Sequence, residues 1–115
     1  MSKQLEDRFF NYAVAVRDFC TTLKHSIINA EYIKQLVRSS ASVGANYIEA
    51  SDDLGKADER MKIKISRREA KEWLYWVKLV LACGDENLEA KRSLLINEGE
   101  QIVKIPSAIM IKLSS

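Results

Sequence analysis

The chain has 115 residues, one domain's worth, with 47% hydrophobic and 30% charged side chains. One Pro and four Gly leave long uninterrupted stretches, which favours an all-helical protein. The net charge of +2 is too small to announce a nucleic-acid binder, and no apolar run approaches a membrane span.

Four helical segments are predicted. The first runs from about Lys3 to Lys24. Leu5, Phe9, Tyr12, Ala13, Val16, Phe19, Cys20 and Leu23 recur at 3/4 spacing and share one face. The segment "HSIINAEY" is a turn, with Asn29 offered as the next N-cap.

The second helix spans about Ala30 to Asp53. Ile33, Leu36, Val37, Val43, Tyr47 and Ile48 form its apolar side, with Ser40 and Gly44 leaving gaps. Gln35, Ser39, Ser42, Asn46 and Glu49 share another strip. A solvated strip is usually written in Lys, Glu and Arg, which have better helix propensity than Ser and Asn. This strip is therefore expected to meet another helix, where small residues allow close approach and polar ones form hydrogen bonds.

Gly55 is expected to end the second helix and Asp58 to cap the third, which runs to about Cys83 and stops at Gly84. Ile63, Ala70, Leu74, Val77 and Leu81 form one apolar band on it. Met61, Ile65, Trp76, Leu79 and Cys83 form a second, ~150° away. Either this helix is unusually central or the second band meets another subunit. Glu69 and Glu72 fall among these apolar residues, so a partner is expected for them, with Arg38, Asn46 and the serines of the second helix as candidates. A structural polar network is favoured over a general acid or base, since no nucleophile stands beside the carboxylates at a recognisable spacing.

The fourth helix begins near Asp85 or Glu86. Leu88, Leu95, Gly99, Ile102, Val103, Ile109, Met110 and Leu113 give its apolar stripe. Pro106 is expected to kink or end it. Short connections make neighbouring helices antiparallel, so residues 1–115 are expected to form an up-down-up-down four-helix bundle.

Charge is unevenly spread. Residues 1–60 carry net −1 and residues 61–115 net +3; Met61 to Gly84 holds six basic and two acidic groups. Lys64, Arg67, Lys71 and Lys78 line one strip of the third helix, with Arg68 and Tyr75 alongside. Such a stripe suits phosphate contacts, or it is the solvated face a bundle helix needs. His25 is the single histidine, so a histidine-based metal site or catalytic triad has no material. No phosphate-binding glycine motif occurs. No cofactor, metal site or enzymatic activity is expected. Cys20 and Cys83 lie among apolar residues without a disulfide framework, and the charged start "MSKQLEDRFF" lacks a secretory core. Both point to the cytoplasm.

The segments "QLVRSSASVGANYIEA" (Gln35–Ala50) and "KIKISRREAKEWLYWVKLV" (Lys62–Val80) closely resemble the helical-bundle family encoded in intervening sequences of bacterial 23S ribosomal RNA genes, the so-called S23 ribosomal protein family. The matching positions are Gln35, Leu36, Arg38, Ser39, Ser42, Val43, Gly44, Asn46, Glu49 and Ala50, then Lys62, Ile63, Glu69, Ala70, Glu72, Tyr75 and Trp76. Trp73 stands where the family often has a smaller residue, and Pro106 interrupts a helix that the family usually leaves whole. The resemblance implies a ring-like homo-oligomer, typically a pentamer. It also implies kinship with the accessory protein of diversity-generating retroelements, which binds a reverse transcriptase and nucleic acid through a basic surface. The sequence-based expectation is thus a non-enzymatic bundle that binds RNA or DNA through Lys64, Arg67, Arg68, Lys71 and Lys78. Arg38, Ser39, Ser42, Asn46, Glu49, Glu69 and Glu72 would form a structural polar network. The alternative is a scaffold that recruits a partner protein without touching nucleic acid.

Overall fold

Four helices account for most of the chain in a computed structural model, which describes residues 2–52 and 54–114. They are α1 (Lys3–Thr22), α2 (Ile27–Glu49), α3 (Lys56–Leu79) and α4 (Glu86–Ser114), and no strand occurs among the described residues. Each helix packs on its neighbours in chain order, and α4 returns to α1 through the sparsest of the four interfaces. The helices alternate in direction. The start of α1 meets the end of α2 where the Ser2 amide donates to the Tyr47 hydroxyl. Arg92 near the start of α4 donates to the carbonyls of Lys78 and Val80 at the end of α3.

The apolar periodicity of α1 becomes the core. Phe9, Tyr12, Val16, Phe19 and Cys20 are buried on it, opposite Leu36, Val43 and Tyr47 of α2. Ile63, Ala70, Trp73 and Val77 complete the α3 side, and Leu88, Leu95 and Ile102 the α4 side. Two edge-on aromatic pairs knit helices together: Phe9 with Tyr47 at 5.1 Å and Tyr12 with Trp73 at 4.8 Å between centroids.

Helix ends depart from the sequence-based boundaries. Ser26, not Asn29, caps α2; its Oγ accepts from the Asn29 amide at 3.0 Å. Asn29 is fully buried and ties two turns together. Its Nδ2 donates to the carbonyls of Lys24 and Leu81, and its Oδ1 accepts from the Leu81 amide. A carboxamide suits this role better than a hydroxyl, because it supplies two N–H donors for the two carbonyls as well as an acceptor oxygen, whereas a hydroxyl has a single donor. The second helix ends at Glu49; the expected end at Asp53 lies outside the described residues. Gly55 introduces α3 rather than ending α2, with φ 101°, and Asp58 lies inside the first turn. The third helix stops at Leu79, and the chain reverses through Cys83 and Gly84, both left-handed. Asp85 caps α4, its Oδ1 accepting from the amides of Asn87 and Leu88.

Pro106 does not end α4. The helix continues to Ser114 with the ring buried inside it. Proline removes one amide donor, but packing of Ile102, Ile105 and Ile109 on either side of it in sequence against the bundle core outweighs that local loss.

Candidate nucleic-acid interface

Small residues set the spacing of α2 in two directions. On one side the buried Ser66 of α3 donates its Oγ proton across the interface to the Val43 carbonyl of α2 at 2.8 Å. Gly44 turns toward α1: a Cβ there would stand 3.1 Å from the Phe9 Cβ. A bulky residue at either place would hold the helices apart.

Above this seam lies an ion bridge. One Arg38 nitrogen reaches Glu69 Oε2 at 3.0 Å and the other reaches Glu72 Oε1 at 2.7 Å. The planar guanidinium serves two carboxylates at once, which a lysine cannot do in the same geometry. Trp76 Nε1 also donates to Glu72, at 3.2 Å. The other polar residues expected in this network are placed differently. The Ser39 Oγ donates to the Gln35 carbonyl, and the Asn46 amide donates to the Ser42 carbonyl, both within α2. Glu49 pairs with Lys62 at 2.9 Å, and this contact raises the lysine's pKa. Helical serines and asparagines bond readily to the preceding turn, so they are satisfied before a distant carboxylate is needed.

The basic strip occupies the outer flank of α3 nearer α4. Lys64, Arg68, Lys71 and Lys78 are exposed, while Arg67 is half-buried with an unpartnered, buried Nε. No acidic group forms an ion pair with any of the five among the described residues. Arg60 extends the strip one turn toward the start of α3 and is likewise unpaired. Its i−4 spacing from Lys64 was available in the sequence. Lys64 to Lys78 covers about 21 Å along the helix. The second apolar band lies beside this strip: Met61 and Leu79 are exposed, and Ile65 and Trp76 half-buried. The first band is buried at Ile63, Ala70 and Val77, half-buried at Leu74 and exposed at Leu81.

Among the described residues, no group of three or more His, Cys, Asp and Glu side chains is placed to hold a metal ion, and no helix is long and apolar enough to cross a membrane. The Cys20 thiol is buried, which pushes its pKa up to about 11, whereas Cys83 is exposed.

These features define a four-helix bundle with a close, ion-bridged α2–α3 seam and an uncompensated basic flank. The chain belongs to the 23S rRNA-intervening sequence protein family, whose model matches residues 5–107. It is also similar to a solved protein of unknown function from the S23 ribosomal protein family of Bacteroides thetaiotaomicron VPI-5482. The two are 26% identical with a TM-score of 0.76, covering 91% of this chain and 96% of the other. No curated protein matches the chain significantly.

Proposed function

We propose that the protein is a non-enzymatic homo-oligomer, a ring of five copies in the cytoplasm, that binds RNA or DNA through the α3 flank. The observation that carries the binding surface is the run of unpaired cations Lys64, Arg67, Arg68, Lys71 and Lys78. Solvated bundle faces usually intersperse both signs, which lowers self-repulsion. Here the cations stand together and repel one another, and a polyphosphate would relieve that repulsion. Assembly is supported by large apolar side chains left in solvent on several sides, including Phe10, Met61, Leu79 and Leu94.

Gel-shift titration of labelled RNA and DNA tests the reading. Binding at ~50 mM salt should weaken steeply as salt rises, and reversing Lys64, Arg67 and Lys71 to Glu should flatten that slope. Absence of any shift at ~50 mM salt refutes it. Light scattering tests assembly: one copy is 13.1 kDa, and a closed ring of five is about 65 kDa.

A protein scaffold is the second reading, favoured by a separate surface. Phe10, Val14, Val37 and Ala41 line an apolar groove of about 220 Å³ between α1 and α2. A partner such as a reverse transcriptase would dock there. Capture that survives the charge-reversal triple, with no nucleic-acid binding by the parent protein, supports the scaffold.

A further inference from the structure

Tyr75 is 63% exposed in the middle of the cationic flank of α3. Lys71 lies one turn before it, Lys78 one turn after it, and Arg68 two turns before it, so all three border the phenol on one helix surface. The ring is braced from behind. It meets Trp76 nearly perpendicularly, with centroids 5.5 Å and planes 72° apart. Trp76 is itself fixed on two sides, by its hydrogen bond to Glu72 and by the Tyr32 ring of α2 at 6.0 Å. Glu72 is in turn held by Arg38. The contacts Arg38–Glu72–Trp76–Tyr75 therefore anchor an exposed aromatic ring to the α2–α3 seam.

A charged flank made only for solubility gains nothing from an outward phenol, whose ring must be hydrated. A flank that binds a single strand gains a great deal. Single-stranded bases offer open π-faces, and surfaces that bind them combine a cationic track for phosphates with aromatic platforms for bases. In a duplex those faces are hidden by neighbouring base pairs, so phosphates, sugars and base edges remain within reach but no π-face is open for stacking. Charge complementarity selects a polyphosphate, and the braced ring selects an unpaired one.

We infer that Tyr75 is a stacking platform for a base of single-stranded nucleic acid, whose phosphates lie along Lys64, Arg68, Lys71 and Lys78. This inference rests on reading the α3 flank as the phosphate-binding surface and adds that the ligand is single-stranded.

The test uses fluorescence anisotropy on the full chain with a mixed-sequence single strand, longer than the ~4–16 nucleotides such sites cover, and with its duplex. Wild type, Tyr75→Ala and Tyr75→Phe are compared at fixed low salt and along a salt titration, with oligomeric mass measured for each. Removing the ring should weaken single-strand binding roughly 5- to 150-fold. Tyr75→Phe should retain most of the affinity because the π-face remains. Duplex affinity and the salt slope should stay unchanged, since no phosphate contact is lost. Three results overturn the inference while leaving the electrostatic reading intact: no loss in Tyr75→Ala, an equal loss for duplex and single strand, or strength that follows the hydroxyl rather than the ring. A change of oligomeric mass in Tyr75→Ala also overturns it, by assigning the ring to a contact between copies. Failure of the wild type to bind either nucleic acid refutes the phosphate surface itself, and the stacking site with it.

Discussion

Gly99 of α4 is the seat of Trp73 of α3. A Cβ at Gly99 would come within 2.5 Å of the Trp73 ring and 2.6 Å of the Tyr12 hydroxyl. The indole is 1% exposed and has no room to retreat. Its bulk is accommodated by the absence of a side chain at position 99 of the helix opposite. Glycine in a helix interior costs about 1 kcal/mol relative to alanine, so the close approach must compensate for that loss.

Gly99→Ala should therefore destabilise the protein, although it raises intrinsic helix propensity. The overpacking should cost about 1–3 kcal/mol, read as a lower urea midpoint. A smaller residue at position 73 relieves the Trp73 part of the clash and leaves that with Tyr12, so Gly99→Ala combined with Trp73→Leu should lose less than the sum of the single changes.

Asn29 holds the two turns at one end of the bundle. Asn29→Ala removes its bonds to Lys24 and Leu81, leaving both carbonyls and the Leu81 amide without this fully buried partner. The expected loss is about 2–4 kcal/mol, measured by thermal or chemical unfolding. Asn29→Asp should also destabilise, because a carboxylate cannot donate to the two carbonyls.

Arg38 balances two carboxylates across the α2–α3 seam. Its guanidinium is about half exposed, while the Glu69 side chain is only 16% exposed. Solvent screens the Glu72 contact more than the Glu69 contact. Arg38→Met should cost about 1–2 kcal/mol, chiefly by leaving Glu69 without its cation. Adding Glu69→Gln should recover part of that loss, and equilibrium unfolding of the three variants measures the coupling.

The two thiols should separate cleanly by reactivity. A maleimide at neutral pH should label exposed Cys83 rapidly and buried Cys20 only after unfolding. Burial lifts Cys20 to about 11, above its ordinary value of 9.0. Between those values the unfolded chain releases a proton that the folded chain keeps. Cys20 therefore stabilises the fold less as pH rises through this window. Cys20→Ala should flatten the decline in stability there, measured by urea titration at several alkaline pH values.

The sequence by itself determined the helices and much of what they bury. Apolar residues at 3/4 spacing must share a face, and burying those faces together gives a bundle. The same periodicity placed Lys64, Arg67, Lys71 and Lys78 on one flank, and the small polar residues of α2 pointed to a close helix neighbour. Only the tertiary structure decided how those polar residues were used. Arg38 crosses to Glu69 and Glu72, while Ser39 and Asn46 bond within their own helix, a choice set by distances between helices that no spacing along one chain contains. Tertiary packing also carried α4 through Pro106 and gave Asn29 a buried clasp in place of a cap. Local rules describe one strand of chain in isolation. The energy of burying an apolar face, or of satisfying two distant turns with one amide, belongs to the assembled bundle and can outweigh them.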